Sequence, residues 1–386
     1  MAKSLLYFQS GGPTAVINAS LYGVITEAMK QEGIAEILGS RYGIEGLIND
    51  DLVNLGTLTK NDLEILKSMP GAALGSSRKK MPVNLQDPLY EQILQTVTKH
   101  QIGYILVNGG NDSMDTCYRL SELFKARHLD VSVLGIPKTI DNDLALTDHA
   151  IGYPSAALHI INTTAMIVDD ANAYKKGKIV LVEIMGRDTG WLTAATDLLP
   201  EGRRPDLIYI PEMGWDEEEF LKAVQKIYET KGYAVCAFSE GMPIQHHNDC
   251  GTDSFGHHPM EGCCISLGHI IDERLHISNR TVELSIPTRA DPLLRSPIDV
   301  REAVGVARFA VKHVLRGETA QVVSLKRSPT ETYHASFHLV SVKDVADQTV
   351  FMPKEYCIDH THFSPLFRKY LSSLLPENFV YPSCVL

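Results

Sequence analysis

Short apolar runs alternate with stretches of helical spacing along the chain. Residues 5–10, 102–107, 131–136, 178–184, 206–212 and 234–241 read as buried strands. Residues 15–30 carry apolar positions at helical spacing. The same spacing returns after Asp299 at Ala303, Val306, Ala307, Ala310 and Val311, with Gly317 as a stop. Strands alternating with helices predict an α/β class with mostly parallel sheets, organised as two Rossmann-like three-layer α/β/α domains.

The residues just after each strand matter more than the strands themselves. Residues 5–10 run into Gly11-Gly12-Pro13-Thr14, a glycine turn before a helix, where backbone N–H groups and the positive helix end can receive a phosphate. Residues 102–107 run into Asn108-Gly109-Gly110-Asn111-Asp112-Ser113, with a helix expected from near Met114 and Asp112 or Ser113 as its N-cap. Residues 131–136 run into Pro137-Lys138-Thr139-Ile140-Asp141-Asn142-Asp143. On extended backbone, two acids two residues apart point the same way. Two carboxylates, a hydroxyl and a lysine are what general-base phosphoryl chemistry uses. Taken singly, each stretch also reads as a tight or polar turn. Three of them at strand ends of one open sheet would share an edge where ligands bind. A small-residue loop, Gly71 to Ser77, ends in Arg78, Lys79 and Lys80; Arg78 is the candidate anion ligand and the lysines fit a solvated turn.

Composition narrows the classes. With 386 residues, 44% hydrophobic and 22% charged, the chain is expected to be a soluble globular protein of about two domains. A net charge of -11 without a basic run argues against nucleic acid. No run approaches a membrane span, and the apolar start is too short for a signal peptide, so a cytoplasmic location is expected. The seven cysteines are scattered apart from Cys263-Cys264, a pattern expected of thiols. His246, His247, Cys250, His257, His258, Cys263 and Cys264 raise the question of zinc. Their spacing fits no finger or ribbon, and Gly251, Asp253, Gly256 and Pro259 among them predict a surface loop instead.

Taken in order, these segments resemble the phosphofructokinase family. The resemblance rests on Gly11-Gly12 with Asn18-Ala19, then Gly75-Ser76-Ser77-Arg78, Gly109 to Ser113, Thr139 to Asp143, Met185-Gly186-Arg187 and Ser239-Glu240-Gly241. Within the family it is to the pyrophosphate-dependent branch, because ATP-using members usually carry glycine at the positions of Asp112 and Lys138. An acid at Asp112 penalises the α-phosphate of a nucleotide, and Lys138 can supply charge to a transferring phosphoryl group.

The resemblance implies a reversible transfer from pyrophosphate to the C1 oxygen of fructose 6-phosphate, within glycolysis or gluconeogenesis. It implies Asp141 as base, with Asp143, Thr139 and Lys138 assisting. Gly12, Arg78, Asp112 and Ser113 would surround pyrophosphate, and Asn111 and Asp112 would serve Mg²⁺. Thr139, Asp141, Lys178, Met185, Gly186, Arg187, Glu240, Arg280, Ile286 and Arg289 would hold the sugar phosphate. The family's counterparts of Lys178 and Arg280 come from a neighbouring subunit, which implies a homodimer or homotetramer with shared sites. The domains implied are 1–151 with about 288–340 for the donor, 152–287 for the sugar phosphate, and a C-terminal extension of about 341–386. There are departures: Asn111 replaces the usual metal-associated aspartate, Lys178 an arginine, Ile286 a histidine and Thr288 a glutamine. An ATP-dependent enzyme and a weakly catalytic regulatory subunit are the alternatives.

Overall fold

A computed structural model describes residues 2–244, 262–330, 332–380 and 382. The chain divides into two units, Met1–Gly152 with Pro297–Thr349, and Tyr153–Ser296 with Val350–Leu386. The first opens with β1 (Lys3–Gln9), α1 (Ile17–Ala28), β2 (Ile34–Ser40), α2 (Ile44–Asn49) and β3 (Leu52–Asn54). It continues through α3 (Lys60–Ser68), α4 (Pro88–Lys99), β4 (Ile102–Gly109), α5 (Asn111–Ala126) and β5 (Ser132–Pro137). The second unit follows with α6 (Tyr153–Asn172), β6 (Ile179–Ile184), α7 (Trp191–Ala194), β7 (Leu207–Tyr209), α8 (Glu217–Lys231), β8 (Ala234–Ser239), α9 (Cys263–Leu275) and β9 (Asn279–Glu283). The chain returns to the first unit with α10 (Pro297–Val314), β10 (Gln321–Arg327) and β11 (Ala335–Ser341), and ends in the second with α11 (Pro365–Ser372).

The first unit holds a seven-stranded sheet in the order β11-β10-β5-β4-β1-β2-β3, parallel from β10 to β2 with an antiparallel strand at each edge. Alternation along β1 builds its two cores. Leu5 and Tyr7 pack with apolar residues of α1, α3 and α10, while Leu6 and Phe8 pack with those of α2, α4 and α5. Burial on both faces is why these strands read as unbroken apolar runs. Gln9 pairs with Asn108, and Gly109 with Pro137. The turns leaving β1, β4 and β5 therefore share one edge of this sheet.

The second unit holds a parallel sheet in the order β7-β8-β6-β9. The apolar run predicted over 206–212 forms strand only at β7, then tightens into a 3₁₀ turn at Pro211–Met213. Residues 350–386 complete this unit. Tyr356, Phe367 and Tyr370 surround the Trp191 ring, Arg368 Nη1 lies 3.1 Å from the buried carboxylate of Asp197, and Ser296 Oγ donates to Leu374 O at 2.7 Å. Cys117, Cys236, Cys263, Cys264 and Cys357 are free thiols. Among the described residues no helix is long and apolar enough to cross a membrane.

Candidate active site

In the first unit the turn after β1 and the Gly71–Arg78 loop are bound together. Gly11 N–H donates to Ser77 O at 3.2 Å, and Ser76 Oγ donates to Gly11 O at 2.5 Å. Gly11 sits at φ 76, which favours glycine, and a Cβ there would come within 3.2 Å of Lys138 Nζ. The loop is anchored by two buried amides, Asn18, which the family resemblance includes, and Gln9, which no sequence signal marked. Gln9 Oε1 accepts from Leu74 N at 3.1 Å, and Asn18 Oδ1 accepts from Ala73 N at 3.0 Å. Asn18 Nδ2 donates to Met69 O at 3.0 Å, and Gln9 Nε2 donates to Asn18 Oδ1 at 2.9 Å. Arg78 is half-buried, whereas Lys79 and Lys80 are exposed.

The helix expected from near Met114 starts at Asn111, directly after β4, with Gly110 as N-cap. Asp112 and Ser113 are thus not caps but first-turn residues, and among the described residues no side chain caps this helix. Two adjacent glycines let the strand turn straight into the helix, which the cap reading overlooked. The result brings the helix end closer to the sheet edge, with Asn111 and Asp112 half-buried and Ser113 buried. Asn111 Nδ2 donates to Asp143 Oδ2 at 2.9 Å. Asn111 Oδ1 is buried and accepts no hydrogen bond among the described residues.

Lys138 is 3% exposed, and its Nζ donates to Gly12 O at 2.7 Å, which sets an ammonium beside the Gly11–Gly12 turn. Asp141 N donates to Thr139 Oγ1 at 3.2 Å, and that hydroxyl lies 3.5 Å from Asp141 Oδ2. Extended backbone does not relate Asp141 to Asp143. Asn142 between them is left-handed at φ 57, a conformation that asparagine tolerates, and its Oδ1 accepts from Ala150 N at 2.9 Å. The turn separates the roles of the two acids: Asp141 lies against Thr139, and Asp143 against Asn111. Lys138, Thr139, Asp141, Asp143, Asn111, Asp112, Ser113 and Gly12 all fall at the one sheet edge.

In the second unit the candidates divide between two ends of the sheet. Met185, Gly186 and Arg187 follow β6, Glu240 follows β8, and Ile286 and Arg289 follow β9. Glu240 N donates to Ile184 O at 2.8 Å, and Gly186 N approaches Glu240 Oε1 at 3.4 Å. A Cβ on Gly241 would fall 1.5 Å from Arg187 O, so only glycine fits where these two loops meet. Arg187 Nε is a buried donor with no acceptor among the described residues. Lys178 precedes β6, and Arg280 pairs with Val180 at the start of β6. Both are exposed. One strand of six residues, about 20 Å, separates them from Met185. Within this unit Lys178 and Arg280 are not brought to the other candidates.

His246, His247, Cys250, His257 and His258 lie outside the described residues. Cys263 and Cys264 begin α9, with their sulfurs and the Glu183 carboxylate within 4.8 Å of one another. Glu183 accepts from Gly262 N at 2.9 Å, Cys264 N at 2.8 Å and Cys263 Sγ at 3.2 Å, the pattern of an acid capping a helix N-terminus. Burial pushes the Cys264 thiol well up. For Cys263 a hydrogen bond with Cys264 lowers the pKa, but burial and the Glu183 charge together raise it. One thiol, that of Cys263, and the backbone N–H groups of Gly262 and Cys264 donate to the acid, which accounts for this cluster without a cation.

Residues 4–312 match the family model described as Phosphofructokinase. A pyrophosphate--fructose 6-phosphate 1-phosphotransferase of Halomonas elongata is 32% identical over 380 residues, covering 96% of this chain and 91% of that protein. A sulfofructose kinase of Alkalicoccus urumqiensis is 31% identical over 341 residues, covering 88% and 87%. The crystal structure of a pyrophosphate-dependent phosphofructokinase from Nitrosospira multiformis superposes with a TM-score of 0.87 at 30% identity, covering 100% of this chain and 95% of that one.

Proposed function

The chain belongs to the phosphofructokinase family, and from that premise we propose that it transfers a phosphoryl group from pyrophosphate to the C1 oxygen of fructose 6-phosphate. The products are fructose 1,6-bisphosphate and phosphate, and the reaction runs in both directions. The observation that carries the donor assignment is the buried Lys138 ammonium, bound at 2.7 Å to Gly12 O beside the glycine turn. Asp112 supports it from the first turn of α5. A fixed cation there stabilises charge gathering on the transferring group, while the Asp112 carboxylate disfavours the additional phosphate and nucleoside of ATP.

Each side chain has a definite task in the transfer. Asp141 takes the proton of the C1 hydroxyl as its oxygen bonds to the terminal phosphorus of pyrophosphate. The bridging P–O bond breaks, Lys138 meets the charge on the transferring group, and phosphate leaves with its charge met by Arg78. Thr139 orients Asp141, Ser113 and Gly12 present donors to the phosphates, and Asp143 holds Asn111. Met185, Gly186, Arg187, Glu240, Ile286 and Arg289 receive the sugar phosphate, Glu240 through hydroxyls and the arginines through the 6-phosphate. Mg²⁺ fits the first unit, because the buried Asn111 Oδ1 has no protein donor among the described residues and an amide oxygen beside acids suits a hard cation. Asn111 and Asp112 would hold it, and when bound it supplies neutralisation of the pyrophosphate charge.

Lys178 and Arg280 point to a homodimer or homotetramer. The length of β6 keeps them from the Met185 end of their own sheet, so their charge serves a neighbouring copy's 6-phosphate. A cytoplasmic place in glycolysis or gluconeogenesis follows from these substrates.

Initial rates with fructose 6-phosphate and Mg²⁺, pyrophosphate and ATP in parallel, test the reading. Turnover with pyrophosphate alone is expected. Turnover with ATP alone would overturn the donor, and turnover with neither would favour a regulatory subunit. Sulfofructose belongs in the same assay as a second acceptor, because a relative of nearly equal identity carries that name.

A further inference from the structure

Residues 143–152 lead from Asp143 back to the sheet of the first unit, and the loop is stitched down along its length. Ser324 Oγ donates to Leu146 O, Leu325 N to Thr147 Oγ1 at 3.0 Å, and Asp148 N to Leu325 O at 2.8 Å. Ala150 N reaches back to Asn142 Oδ1 at 2.9 Å, and Gly152 N donates to Asp299 Oδ1 at 2.9 Å. At the centre His149 is 1% exposed. Its Nδ1 lies 2.9 Å from Asp148 Oδ2, and its Nε2 lies 2.9 Å from Glu302 Oε2 on α10. Asp148 also receives Arg327 Nε at 2.8 Å and Nη2 at 3.1 Å from β10, and Glu302 Oε1 accepts from the Tyr333 hydroxyl at 2.7 Å.

Counting donors favours a charged ring. A neutral imidazole has one N–H, yet both ring nitrogens face carboxylate oxygens. Burial would raise the pKa of Asp148, but hydrogen bonds and charges from His149 and Arg327 outweigh it and hold it below the usual range, and Glu302 already takes a hydrogen bond from Tyr333. With His149 protonated, two acids meet two cations, every contact has a donor, and Tyr333 stays neutral. With His149 neutral, the same contacts are satisfied only by moving its proton to Glu302; with both acids ionised, one buried carboxylate oxygen would face a lone pair.

We propose that His149, an imidazolium clamped between Asp148 and Glu302, is a positioning residue for the Asp141–Asp143 segment. It fixes Ala150, Ala150 fixes the left-handed Asn142, and loss of its proton sets an alkaline limit on turnover. This rests on the phosphotransferase reading above. Burial alone would lower the pKa of His149, but hydrogen bonds and charges from Asp148 and Glu302 outweigh it and push it up to about 9. A histidine raised above its unfolded value stabilises the fold fully below about pH 6.5, and that contribution is lost as pH rises through about 9.

The test is kcat and KM for pyrophosphate and fructose 6-phosphate from pH 6.5 to 10, with thermal midpoints across the same range. The proteins are the wild type, Glu302→Gln, Tyr333→Phe and the double variant His149→Gln/Glu302→Gln, which leaves no unpaired acid at Glu302. The wild type is expected to lose kcat above about pH 9 with KM little changed, and to lose thermal stability in the same window. Glu302→Gln should move both falls at least one pH unit toward neutrality, Tyr333→Phe should move them slightly the other way, and the double variant should show neither. Shifted thermal profiles with an unmoved kcat limb would overturn the positioning role. Unmoved thermal profiles would overturn the imidazolium. Absence of turnover from the wild type at every pH would sink the phosphotransferase reading and the positioning role with it, while the thermal profiles still decide the charge state.

Discussion

The two units hold their candidate residues in different ways. In the first, Lys138, Thr139, Asp141, Asp143 and Asn111 are buried or half-buried, at one sheet edge, and tied by side chains to neighbouring turns. In the second, Lys178, Arg280 and Ile286 are exposed, and the cations divide between opposite ends of a four-stranded sheet. A phosphoryl-transfer machinery must be rigid before the substrate arrives, because its electrostatic work depends on groups that do not reorganise. One fold can provide that alone. The cations of the second unit are split by about 20 Å of strand, and the proposal that they serve one sugar phosphate therefore requires a neighbouring copy.

The largest expected effect breaks the rigid side. Asp141→Asn removes the proposed proton acceptor but keeps its shape, and kcat should fall by roughly 10²–10⁴-fold with KM little changed. A KM effect alone would show that Asp141 binds rather than reacts.

Next in size is the divided side. Arg280→Ala removes a charged contact worth about 1.5–3 kcal/mol, so KM for fructose 6-phosphate should rise by about 10–100-fold. Refolding Arg280→Ala together with Asp141→Asn should restore on the order of a quarter of wild-type rate, because a hybrid dimer keeps one complete site. No recovery from two well-folded variants would contradict sharing between copies.

A smaller effect sharpens the contrast by loosening the first unit from behind. Asn18→Ala deprives Ala73 N and Gln9 Nε2 of their shared acceptor, costing about 1–3 kcal/mol of stability for the buried donors left behind. KM for pyrophosphate should rise several-fold through Arg78, with KM for fructose 6-phosphate unmoved. Equal changes in both would make Asn18 a general stability residue.

Much of this contrast is legible in the chain itself, and the reasons are physical. Parallel strands buried on both faces must be apolar throughout, so β1, β4, β5, β6 and β8 stand out, and the chemistry lies where each run stops. Strand β2, one in from the edge, is buried only over its second half, and the edge strand β11 is at most half-buried, so their mixed pattern gives no such signal. Gln9 and Asn18 are single polar residues inside apolar elements, a pattern that carries no partner information. The left-handed Asn142 is hidden because asparagine is common in any turn. The separation of Arg280 from Arg289 depends on the register of β9 against β6, which periodicity does not encode. His149 needs Glu302, 153 positions away in the chain, before its charge state can be read.

The most direct measurement concerns Asp112 and Lys138 together. In an Asp112→Gly/Lys138→Gly variant, kcat/KM would be compared for pyrophosphate and for ATP, each with fructose 6-phosphate and Mg²⁺. Removing a fixed cation from the transferring group and an acid from the path of the nucleotide should lower the preference for pyrophosphate by about 10²-fold or more. A preference left unchanged in a folded variant would contradict the assignment of donor choice to these two side chains.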